Sequence, residues 1–234
     1  DEFYLDFEKL REELKKSYNL VILCNPNNPT GSFVNRENFK ELLNDVNFSS
    51  TNFFIDEAFI DFIKNGEDLS FKHFESDRVI IIRAFTKFFG IPGLRLGYSI
   101  CYNKKWVSTA NNLKEPWTIN TFAASCGEIL LNSNKYIEKT YKTLEKEKNR
   151  MLNGLKKIEN IQVFKSESNF LLIKLMEISG TELYNKLLEK GFLIRRCENF
   201  NFLDDSYVRI AIKDKKSNKN FIKAINKITK NRNV

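Results

Sequence analysis

Apolar residues along the chain gather in short runs that stop abruptly at small polar residues. "NLVILC" (19–24) halts at "NPNNPTG", and "TNFFID" (51–56) ends in acids. "RVIIIRAF" (78–85) stops at Thr86-Lys87, and "LGYSICY" (96–102) follows a turn containing Gly90, Pro92 and Gly93. Each run has the length of a strand. "NRENFKELLNDV" (35–46) instead has helical spacing, with an asparagine placed to cap its start. Strands that are apolar on both faces and separated by helices predict a parallel or mixed sheet covered on both sides. Asn28, Asp56 and Lys87 all fall just beyond strand C-terminal ends. In an open α/β sheet that edge is where ligands bind.

The pattern changes in the second half. "TINTFAASCGEILLN" (118–132) and "KYIEKTYKTLEKEKNRMLNGLKKI" (135–158) read as helices. After them come strands "IQVF" (161–164) and "SNFLLIKL" (168–175), helix "SGTELYNKLLEKG" (179–191), strands "FLIRRC" (192–197) and "YVRIAI" (207–212), and a Lys-rich helix over 214–231. Several strands with few helices in a short span predict an α+β unit. The expected organisation is α/β: a large-domain portion over 1–132, then a connecting helix and small C-terminal domain over 133–234.

Composition narrows the partners. Apolar residues make up 42% and charged residues 29% of 234, the balance of a folded globular protein. The formal charge of +8 agrees with an anionic ligand but names none. Lysines are mixed with glutamates on helical stretches such as "YIEKTYKTLEKEKNR", the pattern of a solvated face rather than a basic stripe. With no recognition motif either, no nucleic-acid partner is expected. No uncharged apolar stretch is long enough to span a bilayer, so no membrane partner is expected. Cys24, Cys101, Cys126 and Cys197 form no CxxC pair, and one histidine, His73, cannot build a multi-histidine metal site. Reduced thiols and a cytoplasmic location follow as the default. Trp106, Trp117 and Tyr98 are expected to pack, Cys24 to be a small buried hydrophobe, and Gly31 to be a turn residue.

Lys87 is the unusual residue, a lysine at the end of an apolar strand. An amine, a carboxylate (Asp56) and a side-chain amide (Asn28) at one sheet edge are what a pyridine aldehyde cofactor needs. The amine joins the aldehyde, the carboxylate keeps the ring nitrogen protonated, and the amide donates to the phenolic oxygen. Arg95, beyond the Gly-Pro-Gly turn, is placed to pair with a phosphate.

"NPNNPTG", "IDEAF", "TKFFGIPGLRLGY" and "YVRIAI", in that order, resemble the fold-type I pyridoxal-phosphate enzymes of the class I/II aminotransferase superfamily. The spacings are 28 residues from Asn28 to Asp56, 31 to Lys87 and 8 to Arg95. The resemblance implies Lys87 as the Schiff-base lysine, Asp56 as pyridinium partner, Asn28 as donor to the phenolic oxygen and Arg95 as phosphate ligand. It implies Arg209 as the fork for the substrate α-carboxylate, with Arg195 as a second substrate arginine; Arg195 and Arg196, adjacent on a strand, face opposite ways, so only one can serve. Ala84 stands where the family often has a phosphate-binding serine, and Thr86 is the expected replacement. Phe59 stands where histidinol-phosphate aminotransferases usually have a tyrosine. "DEAFIDF", "EPWTIN" and "RRCENFNFLDDSYVRIAI" are more similar to the threonine-phosphate decarboxylases of cobalamin biosynthesis. The resemblance therefore implies a homodimeric enzyme acting on L-threonine O-3-phosphate, with histidinol-phosphate amino transfer as the alternative. These enzymes are longer, so the chain is expected to be the C-terminal two-thirds of one, and a fold-retaining inactive fragment is a second alternative.

Overall fold

A computed structural model describes residues 3–230. The chain divides into two compact units. One comprises Tyr4–Asn28 and Ser32–Lys135; the other comprises Pro29–Gly31 and the residues from Tyr136 onward, together with Phe3.

In the first unit, α1 (Phe7–Leu14) precedes β1 (Leu20–Cys24), α2 (Arg36–Asn44) and β2 (Asn52–Asp56). A short α3 (Gly66–Leu69) leads to β3 (Val79–Ala84), which runs directly into the one-turn α4 (Phe85–Phe88). β4 (Gly97–Cys101), α5 (Lys104–Leu113) and α6 (Thr121–Leu131) follow. Asn35 does cap α2, its side chain accepting from the Glu37 N–H at 3.0 Å. The sheet order is β1-β2-β3-β4, parallel across the first three strands and antiparallel between β3 and β4. The expected α/β class with a mostly parallel sheet is therefore what forms.

Alternation along β2 and β3 sets the inward face. Phe53 and Ile55 of β2 lie beside Val79 and Ile81 of β3, all of them buried. Phe39 from α2 and Phe71 pack on this row edge to face, Phe39 meeting Phe53 and Phe71 each at 5.1 Å between ring centroids. Among the described residues β1 is the outermost strand of this sheet, and its Leu20 and Ile22 are 51% and 70% exposed. One expectation fails here. Trp117 is no packing anchor: it lies in the connection after α5, at φ +56, and is 94% exposed. α5 itself buries no residue, so there is no core at that point for an indole to enter. Trp106 is half-buried, and Tyr98 lies 5.5 Å from Phe85 while staying 41% exposed.

The second unit begins with the long α7 (Asn134–Leu155), most of which lies within it. Then come β5 (Ile161–Val163), β6 (Phe170–Leu175), α8 (Gly180–Leu188), β7 (Arg195–Arg196), β8 (Tyr207–Ala211) and α9 (Lys215–Lys230). The strands form an antiparallel sheet in the order β5-β6-β8-β7. β6 is central and almost wholly buried, which explains its continuous apolar run. The expected strand over 192–197 shrinks to Arg195 and Arg196, because this edge strand pairs with β8 alone and Leu193 remains 75% exposed. Asn218 of α9 donates to the buried Glu147 of α7 at 3.0 Å, tying these helices together. Gly31, at φ +74, is the turn residue it was expected to be. A Cβ there would overlap the Ser166 side chain, so glycine is required for space as well as for backbone freedom. No helix among the described residues is long and apolar enough to cross a membrane.

Candidate active site

Parallel register brings the ends of β1, β2 and β3 level. Cys24 lies beside Asp56, and Asp56 beside Ile82. The ladder continues one step further, with the Asn25 N–H donating to the Asp56 carbonyl at 2.8 Å and the Glu57 N–H to the Ile82 carbonyl at 2.9 Å. Asn25 is fully buried, and its amide clamps both ends of the loop that follows. Nδ2 donates to the Val34 carbonyl at 3.0 Å, and Oδ1 accepts from the Val34 N–H at 2.8 Å. Within that loop the half-buried Asn28 turns its backbone N–H toward the Cys24 sulfur. Val34 is thus fastened to Asn25, one residue beyond the end of β1.

Asp56 is half-buried, and its Oδ1 accepts from the Ala58 N–H at 2.9 Å, a local turn that fixes the carboxylate. The charge acts on its neighbour. Cys24 is half-buried rather than buried, donates from its thiol to the Pro26 carbonyl at 3.3 Å, and has its pKa pushed up to about 11. Burial is the first cause and the Asp56 carboxylate the second. Cys24 therefore stays a thiol at neutral pH and is no nucleophile. We expect its alkylation to be slow at pH 8, and Asp56→Asn to speed it several-fold, since removing a nearby negative charge lowers a thiol pKa. Mass-spectrometric alkylation rates across a pH series would check this; an unchanged Cys24 profile in the variant would mean that the two groups do not interact.

Lys87 is exposed on α4, held outward because Phe85 and Phe88 on either side of it are buried. Its Nζ stands 5.9 Å from the centre of the Phe59 ring, and Phe59 lies three residues beyond Asp56. Thr86 is beside it, half-buried. Arg95 sits at φ +54 just before β4, exposed, with Nη1 donating to the Pro92 carbonyl at 3.0 Å. The Phe85 N–H donates to the Leu96 carbonyl at 3.2 Å and Gly97 pairs with Ala84, so Arg95 adjoins the start of α4. Asn28, Asp56, Thr86, Lys87 and Arg95 are thus gathered at one edge of the first unit's sheet. Arg209 and Arg195 belong to the second unit. There they are direct partners across β8 and β7. Arg209 lies over the Phe170 ring at 4.9 Å, and its pKa is lowered, first by burial and then by the charge of Arg195. Arg195 donates to the Asn199 side chain at 2.7 Å. Arg196 turns elsewhere, to the Thr181 hydroxyl and Glu198. Among the described residues no group of His, Cys, Asp and Glu is arranged to hold a metal ion.

One feature went unread in the sequence: a buried ion pair behind this edge. Glu57 is 0% and Arg83 2% exposed, with Arg83 Nε donating to Glu57 Oε2 at 2.7 Å. The signal was an arginine inside the apolar run "VIIIRAF", which needs a buried partner.

The family model for aminotransferase class I and II matches residues 1–225. The chain belongs to this family. It is 38% identical to a putative threonine-phosphate decarboxylase of Caldanaerobacter subterraneus subsp. tengcongensis, over 95% of this chain and 61% of that protein. It is 30% identical to a histidinol-phosphate aminotransferase of Methanocaldococcus jannaschii, over 97% of this chain and 60% of that protein. Among solved structures, the histidinol-phosphate aminotransferase of Clostridium acetobutylicum superposes with a TM-score of 0.93 at 38% identity, over 99% of this chain and 70% of the other. The chain spans about six-tenths of the length of these two curated relatives.

Proposed function

We propose that the protein carrying this chain is a pyridoxal 5'-phosphate-dependent enzyme that decarboxylates L-threonine O-3-phosphate in cobalamin biosynthesis, working as a cytoplasmic homodimer. The observation that carries the reading is the row of Asn28, Asp56 and Lys87 at the ends of three adjacent strands. The donor set fits the cofactor. An exposed amine, a half-buried carboxylate, a side-chain amide and a guanidinium match an aldehyde, a pyridine nitrogen, a phenolic oxygen and a phosphate. When bound, the cofactor supplies an electron sink for the bond broken at the substrate α-carbon.

The chain's own residues do the rest. Lys87 would provide the nitrogen for covalent attachment and would deliver the proton that replaces the departing CO₂ at the substrate α-carbon. Asp56 would keep the ring nitrogen protonated, Asn28 would donate to the phenolic oxygen, and Arg95 with Thr86 would hold the phosphate. Arg209, or its neighbour Arg195, would take the α-carboxylate or the substrate phosphate through its planar fork. Two guanidiniums opposed across a strand pair repel each other, and an anionic substrate would relieve that repulsion.

Histidinol-phosphate amino transfer is the second reading, favoured by the 0.93 superposition on an enzyme of that name. The test uses the full-length protein. CO₂ released from phosphothreonine without any amino acceptor is the expected result. Glutamate formed from histidinol phosphate and 2-oxoglutarate, with no CO₂ from phosphothreonine, would replace the first reading by the second.

A further inference from the structure

We propose that the buried Arg83–Glu57 pair is a positioning device that holds Asp56 and Lys87 in their working places. This rests on the cofactor reading of those two residues. Glu57 continues the inward row Phe53–Ile55, and Arg83 continues Val79–Ile81, so the pair closes the core-facing side of β2 and β3 where both strands end. Asp56, one residue earlier, has the opposite parity and faces away from that row. Lys87 follows Arg83 by four residues and is the third residue of α4.

Both oxygens of Glu57 are engaged. Oε2 takes Arg83 Nε and the Ser70 hydroxyl, each at 2.7 Å, and Oε1 takes the Phe71 N–H at 2.8 Å. Arg83 Nη1 reaches Asp61 and Glu67, each at 3.2 Å, and Glu67 also pairs with Lys72. One guanidinium therefore fastens three acids of the β2–β3 connection to the strand that delivers Lys87. The connection so fastened includes Phe59, over whose ring the Lys87 amine stands. Arg83 Nη2 is buried with no hydrogen-bond partner, and burial pushes the Asp61 carboxyl upward against the pull of Arg83. A cluster that carries such costs is a poor device for stability, because apolar residues of similar volume often do as well or better. What apolar residues cannot reproduce is a directional fork that ties one strand end to three points of a loop.

The test uses the full chain loaded with pyridoxal 5'-phosphate, an Arg83→Met/Glu57→Gln double variant and an Arg83→Lys variant. The readouts are cofactor dissociation, the pH midpoint of the bound cofactor's visible band, and the urea midpoint of the cofactor-free protein. The double variant should keep a urea midpoint close to the parent's. It should bind the cofactor about tenfold more weakly, the loss typical of a partner that orients a binding group from behind. Its pH midpoint should move, and Arg83→Lys should fall between. Parent-like dissociation and pH midpoint in either folded variant would overturn the proposal. So would a loss of affinity matched by an equal loss in the urea midpoint, the mark of a merely structural pair. Asp56→Asn and Lys87→Ala run alongside. If they too behave like the parent, the cofactor reading fails; if they lose the cofactor and the Arg83 variants do not, only the positioning role fails.

Discussion

Lys87→Ala in the full-length protein is expected to abolish turnover and the borohydride-stable cofactor adduct together. The lysine is asked to do two things, to anchor the aldehyde and to move the proton at the substrate α-carbon. Loss of a positioned acid–base group alone costs roughly 10²–10⁴-fold, and loss of the covalent nitrogen adds to it. The fold should be little affected, because α4 is anchored by the buried Phe85 and Phe88 while Lys87 is exposed. Far-UV circular dichroism would confirm folding, and mass spectrometry after borohydride would read the adduct. Normal turnover in a folded Lys87→Ala protein would end the assignment, whichever substrate is the right one.

Asp56→Asn is the second large effect. Asparagine keeps an oxygen to accept the Ala58 N–H, so the local turn survives. On the proposed reading, what disappears is the negative charge that would favour a protonated ring nitrogen and so sustain the electron sink. Removing one preorganised electrostatic group of this kind costs on the order of 10²–10³ in kcat. Cys24 supplies an internal control that needs no substrate, since its thiol sits beside Asp56 in register. Faster Cys24 alkylation with kcat unchanged would show that the carboxylate was removed and that it does not serve the reaction.

Much of this site could be read from the chain alone because its parts are local. An apolar run of strand length followed by Asn, Asp or Lys marks a strand end whatever surrounds it; the structure ends β2 at Asp56 and places Asn28 four residues beyond β1 and Lys87 three beyond β3. Asn35 likewise announced the start of α2. By contrast, α1 and α5 were not read as helices. α1 does carry an apolar stripe, with Phe7, Leu10 and Leu14 at helical spacing and packed on the first unit's core, so its signal was there to be read; α5 buries no residue among those described.

The sequence by itself determined the alternation of strands and helices, the family, and the order of the residues that carry the proposed chemistry. These depend on local periodicity and on motifs short enough to be seen along one dimension. Only the tertiary structure decided which strands are neighbours and in what register. It set Arg195 opposite Arg209, placed Cys24 within the field of Asp56, and buried Arg83 against Glu57. Each of those results joins residues far apart in the chain, and burial and charge pairing are properties of that joining rather than of any single segment.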